Sequence, residues 1–238
     1  MSKPAIVIKL TGTLFVDQQA KQLCRTLAES IVSQLQTLKQ SYQIGIVIGG
    51  GAFFRGAENN NILKVRPATA HTIGMLATVA NALLLYDLLH EHTIASTLLC
   101  ACECALAGTA ISQQSIDDAI TQDKIIIFSG GTGNPYVSSD TAAVIRAKQL
   151  GAHELWKATT VDGVYSSDPC HDHTAQLIPN MTHQEALDKH LGFMDYTAMA
   201  LAQQEQLPMR IFNVATPDIF NKLAHGESLG SVICTKNV

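Results

Sequence analysis

The sequence predicts an α/β protein in which a mainly parallel sheet is covered by helices on both faces. Short β-branched runs alternate along the chain with longer segments that carry apolar residues at three- and four-residue spacing. No internal repeat, low-complexity tract or linker interrupts this alternation. We therefore expect a single domain over residues 1–238, with the turn at residues 157–169 as a soft border between two lobes.

The first half of the chain provides three strands and three helices. The run PAIVIKL begins the sheet, and the runs QIGIVIGGG and IASTLLCACE predict the next two strands. Helical periodicity covers residues 16–40, and a very apolar helix is predicted over residues 68–92. A short helix at residues 112–122 begins with a serine, a residue type that favours a helix start.

The second half continues the alternation. The strand KIIIFSGG leads to a helix over residues 138–151, and the strand HELWKAT leads to the turn VDGVYSSDP. The segments THQEALDKHL and YTAMALAQQEQ predict two more helices. The runs PMRIFNV and GSVICT predict the closing strands, with PDIFNKLAHG between them.

Composition and charge argue against several classes of protein. The chain is 47% hydrophobic and 15% charged, which is typical of a soluble globular protein, and its net charge of −4 disfavours a surface that coats nucleic acid. The start MSKPAIVIKLTG is too short for a signal peptide, and the uncharged stretch that ends at Asp87 falls short of a membrane span. We expect a cytoplasmic protein with reduced cysteines and with neither nucleic acid nor membrane as a partner.

Glycine-bearing segments follow three of the predicted strands: KLTG, IGGGAFFRG and SGGTGNP. Ligands of open α/β sheets bind beyond the carboxyl ends of strands, so these segments converge on one expected site. Glycines there let backbone N–H groups approach an anion. The stretch from Gly51 to Gly56 is not a Walker A loop, because Ala57 and Glu58 follow it. Taken alone, IGGGAFFRG is explained equally well as a tight strand-to-helix turn.

Charged residues accompany the glycine segments. Lys9 ends the first strand, Arg55 follows the second glycine run, and Lys157 ends a later strand. Asp140 stands at a helix start, where a carboxylate between two lysines would hold them in place. Phosphoryl transfer needs mainly positioning and positive charge, so this set favours a phosphoryl-transfer enzyme. The structural alternatives are solvated strand-end lysines and a helix cap at Ser139 or Asp140.

Five blocks of the sequence, in order, resemble the bacterial uridylate (UMP) kinases of the amino acid kinase superfamily: IGGGAFFRG, GMLATVANAL, GTGNPYVSSDTAA, KATTVDGVYSSDP and PMRIFNV. The resemblance implies a three-layer α/β/α sandwich and ATP-dependent phosphorylation of UMP to UDP in pyrimidine nucleotide synthesis, with Mg²⁺ accompanying ATP. It also implies a homohexamer with GTP and UTP as effectors. Residues of about 1–155 would form the acceptor and oligomerisation side, and about 156–238 the ATP side.

The resemblance implies site residues by position. Lys9, Asp140 and Lys157 would be catalytic, with Asp140 organising the two lysines. ATP would be held by Lys9, Thr11, Gly12, Gly51, Arg55, Thr159, Tyr165, Asp168 and Asp195. UMP would be held by Gly50, His71, Thr132, Gly133, Asn134, Pro135, Tyr136, Val137, Ser138 and Ser139. Asp195 would lie near the metal, but no side chain is assigned as a direct metal ligand.

The sequence departs from the family pattern at a few positions. Thr13 stands where the family has a glutamate, Ala52 where it has an asparagine, and His71 where it has the aspartate that binds the UMP ribose. Ser138 and Ser139 replace a pair of threonines. These departures concern nucleoside specificity more than phosphate handling. Two alternatives therefore stay open: a kinase for another small phosphorylated or carboxylated acceptor, and a non-catalytic or altered-specificity nucleotide-binding homologue.

Two further segments have the composition of metal sites. CACEC would place Cys100, Cys102 and Cys104 on one face of a strand, and CHDH occupies residues 170–173. Free cysteine is common as a small buried hydrophobe, and CACEC lacks a Cys-x-x-Cys spacing. We interpret the first segment as core packing and the second as a solvent-facing loop.

Overall fold

The computed structural model describes residues 3–16, 22, 24–51, 64–104 and 107–235 of the chain. Its strands are β1 (Ala5–Leu10), β2 (Gln43–Ile48), β3 (Ser96–Cys100), β4 (Thr109–Ala110), β5 (Ile125–Ser129), β6 (Glu154–Thr159), β7 (Val164–Tyr165), β8 (Leu177–Ile178), β9 (Asn180–Thr182), β10 (Met209–Asn213) and β11 (Ser231–Cys234). Its helices are α1 (Thr26–Leu38), α2 (Pro67–Glu91), α3 (Gln113–Thr121), α4 (Ser139–Leu150), α5 (His183–Asp188), α6 (Tyr196–Gln204) and α7 (Ile219–Ala224).

Nine of the described strands form one sheet in the order β4-β3-β5-β2-β1-β6-β10-β11-β9. Neighbouring strands are parallel except for the antiparallel pair β10 and β11, so the predicted mainly parallel sheet is confirmed. The central strand β1 pairs with β2 on one side and with β6 on the other. Lys9 of β1 stands opposite Lys157 of β6 in this register, so both lysines lie at the carboxyl ends of adjacent central strands.

Helices cover both faces of the sheet and complete the three-layer α/β/α sandwich. Successive side chains of β1 point to opposite faces, as the pleat of a strand requires. Ile6 and Ile8 join the core formed with α1, α2 and α7, whereas Val7 joins the core formed with α4 and α6. All six residues of β2 are buried, which is the burial expected of a strand that is covered on both sides.

The first helix is shorter than the sequence predicts. The predicted segment began at residue 16, but α1 begins at Thr26. Residues 13–16 form a turn, in which the Val16 N–H donates to the Thr13 carbonyl at 3.1 Å, and the Cys24 N–H then donates to the Phe15 carbonyl at 2.9 Å. These contacts compete with helix formation at the start of the segment. Residues 17–21 and 23 lie outside the described part of the chain.

The thiol segment after β3 does not have the geometry that the sequence predicts. β3 ends at Cys100, so Cys102 and Cys104 follow the strand instead of sharing its face, and the prediction was wrong. The chain turns because the Ala101 N–H donates to the Ser129 carbonyl of β5 at 3.0 Å. Cys102 and Cys104 pack instead against a small cluster that contains Cys100 and Val79. Among the described residues, no group of three or more histidine, cysteine or acidic side chains is arranged to hold a metal.

The sequence pattern missed the shortest strands. β4 and β9 lie at the two edges of the sheet, and β7 and β8 form a separate antiparallel pair. Each has only two or three residues, which is too short for a period-two alternation to be visible. The pair β7–β8 matters for the site because it organises the turn VDGVYSSDP.

α2 is apolar on all sides and 25 residues long. Its length and composition would suffice to cross a membrane, contrary to the expectation drawn from Asp87, because its charged residues lie only near its C-terminal end. In the fold α2 packs on β3 and β5, and 44% of its most apolar window is buried inside the molecule. α2 therefore contributes side chains to the core of the sandwich, although Leu76, Leu83 and Leu84 remain exposed.

Candidate active site

Two lysines and one aspartate meet at the centre of the carboxyl edge of the sheet. The Lys9 ammonium lies 3.0 Å from Oδ1 of Asp140, and the Lys157 ammonium lies 2.5 Å from Oδ2 of the same carboxylate. The adjacent strands β1 and β6 bring the lysines together, and Asp140 reaches them from the first turn of α4. The structure therefore confirms that the carboxylate stands between the two ammonium groups.

Burial and charge set the protonation of this group. Burial alone would raise the pKa of the Asp140 carboxyl, but the adjacent Lys9 and Lys157 ammonium groups hold that pKa at about 2. Burial lowers the pKa of Lys157, and the positive charge of Lys9 lowers it further, while the Asp140 carboxylate opposes both effects. Near neutral pH Asp140 is therefore ionised, and its charge favours the protonated form of Lys157, which burial disfavours.

The two lysines differ in what else they contact. Lys157 also donates to the Phe193 carbonyl at 2.5 Å and is 7% exposed, so its ammonium is held from two sides. Lys9 has Asp140 as its one partner among the described residues. The Lys9 ammonium therefore retains hydrogen-bond donors for a ligand, whereas Lys157 is a more rigid positive charge.

Glycines let the ends of β1 and β2 touch beside this group. A Cβ at Gly12 would lie 2.0 Å from the Gly51 nitrogen and 2.6 Å from the Gly49 carbonyl carbon, so no larger residue fits there. A Cβ at Gly50 would lie 2.7 Å from the Gly74 carbonyl oxygen of α2. Because no side chains cover the backbone at these glycines, an anion could approach their N–H groups.

A buried asparagine ties the glycine segments to α2. The Asn81 side-chain amide donates to the Gly49 carbonyl at 2.7 Å and to the Gly12 carbonyl at 3.1 Å, and Asn81 is fully buried. Sequence reasoning did not select Asn81. The available signal was a single amide in the middle of an otherwise apolar helix, because a buried polar side chain must find hydrogen-bond partners.

The loop of residues 130–139 connects β5 to α4, and we call it the acceptor loop. Gly130, Gly131 and Gly133 adopt positive φ values of 72°, 59° and 79°, which glycine tolerates. The Gly130 N–H donates to the Thr78 hydroxyl of α2 at 2.8 Å, and the Arg146 guanidinium of α4 donates to the Gly131 carbonyl at 3.2 Å. Thr78 and Arg146 were not anticipated, and they hold the base of the loop.

The tip of the acceptor loop presents polar and aromatic groups to solvent. Tyr136 is 68% exposed and has a φ of 66°, an uncommon backbone conformation for a tyrosine. Its ring lies 4.8 Å from the ring of half-buried His71 on α2, with the ring planes 53° apart. The structure therefore brings His71 to the acceptor loop. The Asn134 N–H donates to the Thr132 hydroxyl at 3.2 Å, and Pro135 and Val137 complete the tip.

The end of the acceptor loop is the N-cap of α4. The Ser138 hydroxyl accepts from the Asp140 N–H at 3.0 Å and from the Thr141 N–H at 3.1 Å, and it donates to Asp195. The helix cap is therefore Ser138, whereas the structural alternative placed it at Ser139 or Asp140. Because Ser138 caps the helix, the carboxylate of Asp140 is available to the lysines.

A cavity of about 460 Å³ lies beside Lys157, whose ammonium bonds to the Phe193 carbonyl in the cavity wall. Its walls are formed by Val161 and residues 163–169, which include Tyr165 and Asp168, and by residues 189–193, which sequence reasoning did not select. Thr159 does not line the cavity, but its hydroxyl accepts from the N–H of the wall residue Val161 at 3.1 Å and donates to the Val161 carbonyl at 2.8 Å. A cavity of this size with mixed polar and apolar walls suits a nucleotide base and ribose.

The remaining predicted ATP residues fall in three places. Thr11 lines a separate cavity of about 250 Å³ with Thr13 and Val214, away from the larger one. Arg55 and Ala52 lie outside the described residues. Asp195 is the N-cap of α6, where its carboxylate accepts from the Ala198 N–H at 3.0 Å, and it also contacts Ser138.

Comparisons with known proteins identify the family of this chain. The model of the amino acid kinase family matches residues 4–213. The uridylate kinase of Mycoplasma genitalium is 40% identical over 223 residues, which span 91% of both chains. The uridylate kinase of Rhodopseudomonas palustris is 36% identical over 229 residues, which span 96% of both chains.

Solved structures show the same fold. The UMP kinase of Ureaplasma parvum superposes with a TM-score of 0.91 and 30% identity, covering 99% of this chain and 100% of that one. The UMP kinase of Bacillus anthracis superposes with a TM-score of 0.91 and 26% identity, covering 99% of both chains. The chain belongs to the amino acid kinase family and, within it, to the uridylate kinases.

Proposed function

We propose that this protein transfers the γ-phosphoryl group of ATP to UMP and produces UDP. The observation that carries the proposal is the buried Lys9–Asp140–Lys157 group between the acceptor loop and the 460 Å³ cavity. Relatives that are uridylate kinases favour UMP over other acceptors and favour an active kinase over a non-catalytic homologue. ATP is the phosphoryl donor of such a reaction.

Positioning and electrostatics account for the chemistry that this site offers. Lys9 and Lys157 place positive charge where the transferring phosphoryl group carries negative charge, and backbone N–H groups near Gly12 and Gly51 add to it. Asp140 keeps the two ammonium groups adjacent by offsetting their repulsion. We place the base of ATP in the cavity beside Tyr165 and Asp168, where Thr159 supports the wall through its bonds to Val161.

The acceptor is proposed to lie between α2 and the acceptor loop. Its phosphate would approach Gly50 and the lysines, and its nucleoside would project past His71 and Tyr136. The other contacts proposed for it are the loop residues Thr132, Gly133, Asn134, Pro135, Val137, Ser138 and Ser139. On this assignment residues of about 1–155 form the acceptor side, and about 156–238 form the ATP side.

Mg²⁺ fits this site as a companion of ATP and not as an ion in a protein cage. Mg²⁺ in kinases is held by one or two carboxylates together with substrate phosphates. The described carboxylates close to the lysines are Asp140, already bound to both of them, and Asp195, which caps α6. When bound, Mg²⁺ would neutralise phosphate charge, and Asp195, whose oxygens are bound to Ser138 and Ala198 and not to the lysines, would lie near it without being a direct ligand.

A coupled assay of ADP release tests the proposal. The purified protein is offered ATP with UMP, CMP, dUMP, aspartate, glutamate or carbamate. We expect turnover with UMP, and turnover only with a carboxylate would show a different kinase. Calorimetric binding of ATP without turnover of any monophosphate would instead show a nucleotide-binding scaffold.

We also propose a soluble, cytoplasmic homohexamer that responds to GTP and UTP. The support within the structure is the exposed apolar face of α2, where Leu76, Leu83 and Leu84 are 51%, 39% and 41% exposed. Steady-state rates with and without GTP or UTP test the effector response. Unchanged rates with both nucleotides would contradict it.

A further inference from the structure

Residues 189–195 connect the proposed ATP cavity to the acceptor loop. Residues 189–193 form one wall of the cavity. Met194 follows and is 8% exposed in the core with side chains of α4 and α6, so this short segment is anchored near its C-terminal end. Asp195 then accepts the hydroxyl hydrogen of Ser138 at the end of the acceptor loop. One short stretch of chain thus contacts both proposed substrate sites.

The carboxylate of Asp195 is occupied on both oxygens. Oδ2 accepts from the Ser138 hydroxyl, and Oδ1 accepts from the Thr141 hydroxyl at 3.2 Å and from the Ala198 N–H at 3.0 Å. Asp195 therefore joins the first turn of α4 to the first turn of α6. Hydrogen bonds to an ionised group are about twice as strong as neutral ones, so this junction is a stiff one.

The same segment also contacts the reaction centre. The Phe193 carbonyl, in the cavity wall, accepts from the Lys157 ammonium at 2.5 Å. Ser138 accepts from the Asp140 N–H, so a displacement of Asp195 would reach Asp140 through a single intervening residue. A ligand that displaced residues 189–193 would therefore change the contact of Phe193 with Lys157 and the contact of Asp195 with the acceptor loop.

We infer that Asp195 is a positioning residue that couples occupancy of the ATP cavity to the geometry of the acceptor loop through Ser138. The inference rests on the proposed function, because it takes the two sites as those of donor and acceptor. Coupling of this kind is reciprocal, so each nucleotide should tighten the binding of the other by the same factor.

Calorimetry on the full chain measures this factor directly. The dissociation constant of UMP is determined without and with a saturating non-hydrolysable ATP analogue, and the ratio of the two values is the coupling factor. We expect about fivefold or more in the wild type, the lower end of typical coupling. We expect less than about twofold in Ser138→Ala and recovery in Ser138→Thr, which restores the hydroxyl.

Helix capping alone is controlled by a matched variant. Ser112 caps α3 through a bond from the Ser115 N–H at 3.0 Å, far along the chain from either site, so Ser112→Ala removes a cap without touching Asp195. This variant should keep the wild-type coupling factor. If Ser138→Ala does not fold, Ser138→Gly takes its place, since glycine is a tolerated cap residue.

The outcomes separate the inference from the proposed function. Two results overturn the coupling but leave the proposed function intact, provided that the wild type turns over UMP. The first is a coupling factor that is the same in Ser138→Ala as in the wild type, and the second is a wild type without coupling. Absence of UMP turnover contradicts the proposed function instead. If the assay selects another acceptor, the same ratio is measured with that acceptor and decides the inference in the same way.

Discussion

At the scale of single residues, the proposed reaction centre consists of one carboxylate that lies between two ammonium groups. Without Asp140, Lys9 and Lys157 would repel each other at the ends of adjacent strands. Lys157 depends on this charge most, because burial lowers its pKa and Asp140 opposes that effect. The role of Asp140 is therefore electrostatic, while Ser138 performs the helix capping.

Removing the negative charge of Asp140 should lower the turnover of the enzyme strongly. Asp140→Asn keeps the size of the side chain but leaves the lysines unneutralised, so we expect kcat to fall by roughly 100-fold or more with the fold retained. Lys157→Ala should act in the same direction. Steady-state kinetics and circular dichroism measure both effects, with Asp117→Asn on the exposed surface of α3 as the control. Near-normal turnover of Asp140→Asn would show that the charge of Asp140 has no role in the reaction beyond that of an ordinary carboxylate in the first turn of a helix.

The lowered pKa of Lys157 predicts the pH dependence. As pH rises through this lowered pKa, Lys157 loses its proton in the folded protein, so kcat should fall at a pH below the ordinary lysine value of 10.5. In the same window the unfolded chain binds more protons than the folded one, so Lys157 contributes stability that increases with pH. The fall of kcat is measured by a pH profile of steady-state kinetics, and the change in stability is measured by urea unfolding at each pH. A kcat that stays level up to pH 10.5 would contradict the prediction.

The contact between His71 and Tyr136 predicts an effect on the acceptor alone. Loss of one hydrogen bond or ring contact costs about 0.5–1.5 kcal/mol, so His71→Ala should raise KM for UMP by roughly two- to tenfold. KM for ATP should not change, because neither His71 nor Tyr136 lines the proposed ATP cavity. His90→Ala, an exposed histidine of the same helix, serves as the control. Equal changes in both KM values would instead indicate a general loss of structure.

At the scale of elements, α2 positions more of the site than any catalytic residue does. Asn81 binds the glycine ends of β1 and β2, and Thr78 binds the base of the acceptor loop. His71 contacts the tip of the loop. α2 therefore fixes the positions of the segments that surround the proposed phosphate site. This role explains why an apolar helix carries the polar side chains of Asn81, Thr78 and His71.

Removing the Asn81 amide should destabilise the protein. Asn81→Ala leaves the buried carbonyls of Gly12 and Gly49 without their donor, and we expect the free energy of unfolding to fall by about 2–4 kcal/mol. Asn81→Asp should cost at least as much, because a carboxylate repels both carbonyl oxygens. Denaturant unfolding measures the loss. Asn221→Ala, which removes a surface hydrogen bond to Asp218, should change it little.

At the scale of the whole molecule, one continuous sheet carries both halves of the site. The carboxyl ends of β1, β2, β5 and β6 place the lysines, the glycines and the acceptor loop along one edge. The hairpin of β7 and β8 with residues 189–193 adds the cavity beside this edge. The exposed leucines of α2 lie on a face that the described part of the chain leaves partly open to solvent.

The exposed leucines of α2 predict that this helix forms an interface between subunits of the proposed hexamer. Charged side chains at an apolar interface are costly to bury, so the double substitution Leu76→Glu and Leu84→Glu should lower the assembly mass measured by light scattering. Ile120→Glu, on the similarly exposed surface of α3, is the control. A hexamer that survives the double substitution would exclude α2 from the interface, and a monomeric wild type would contradict the assembly itself.

Local sequence patterns were enough to predict the alternation of strands and helices, the placement of glycines after strands, and the candidates Lys9, Asp140 and Lys157. These features are local, because burial on both faces demands β-branched runs, and a close approach of backbone demands glycine. The sequence also resembled the uridylate kinases, and the comparisons confirmed this.

Contacts between groups that are distant in the sequence could not be predicted from local patterns. The length of α1, the course of the chain after Cys100, and the partners of Asn81, Thr78 and Arg146 all depend on contacts between segments far apart in the chain. The bond between Ser138 and Asp195 joins residues 57 positions apart. No local pattern encodes such a bond, because it forms only after the sheet has fixed the separation of α4 and α6.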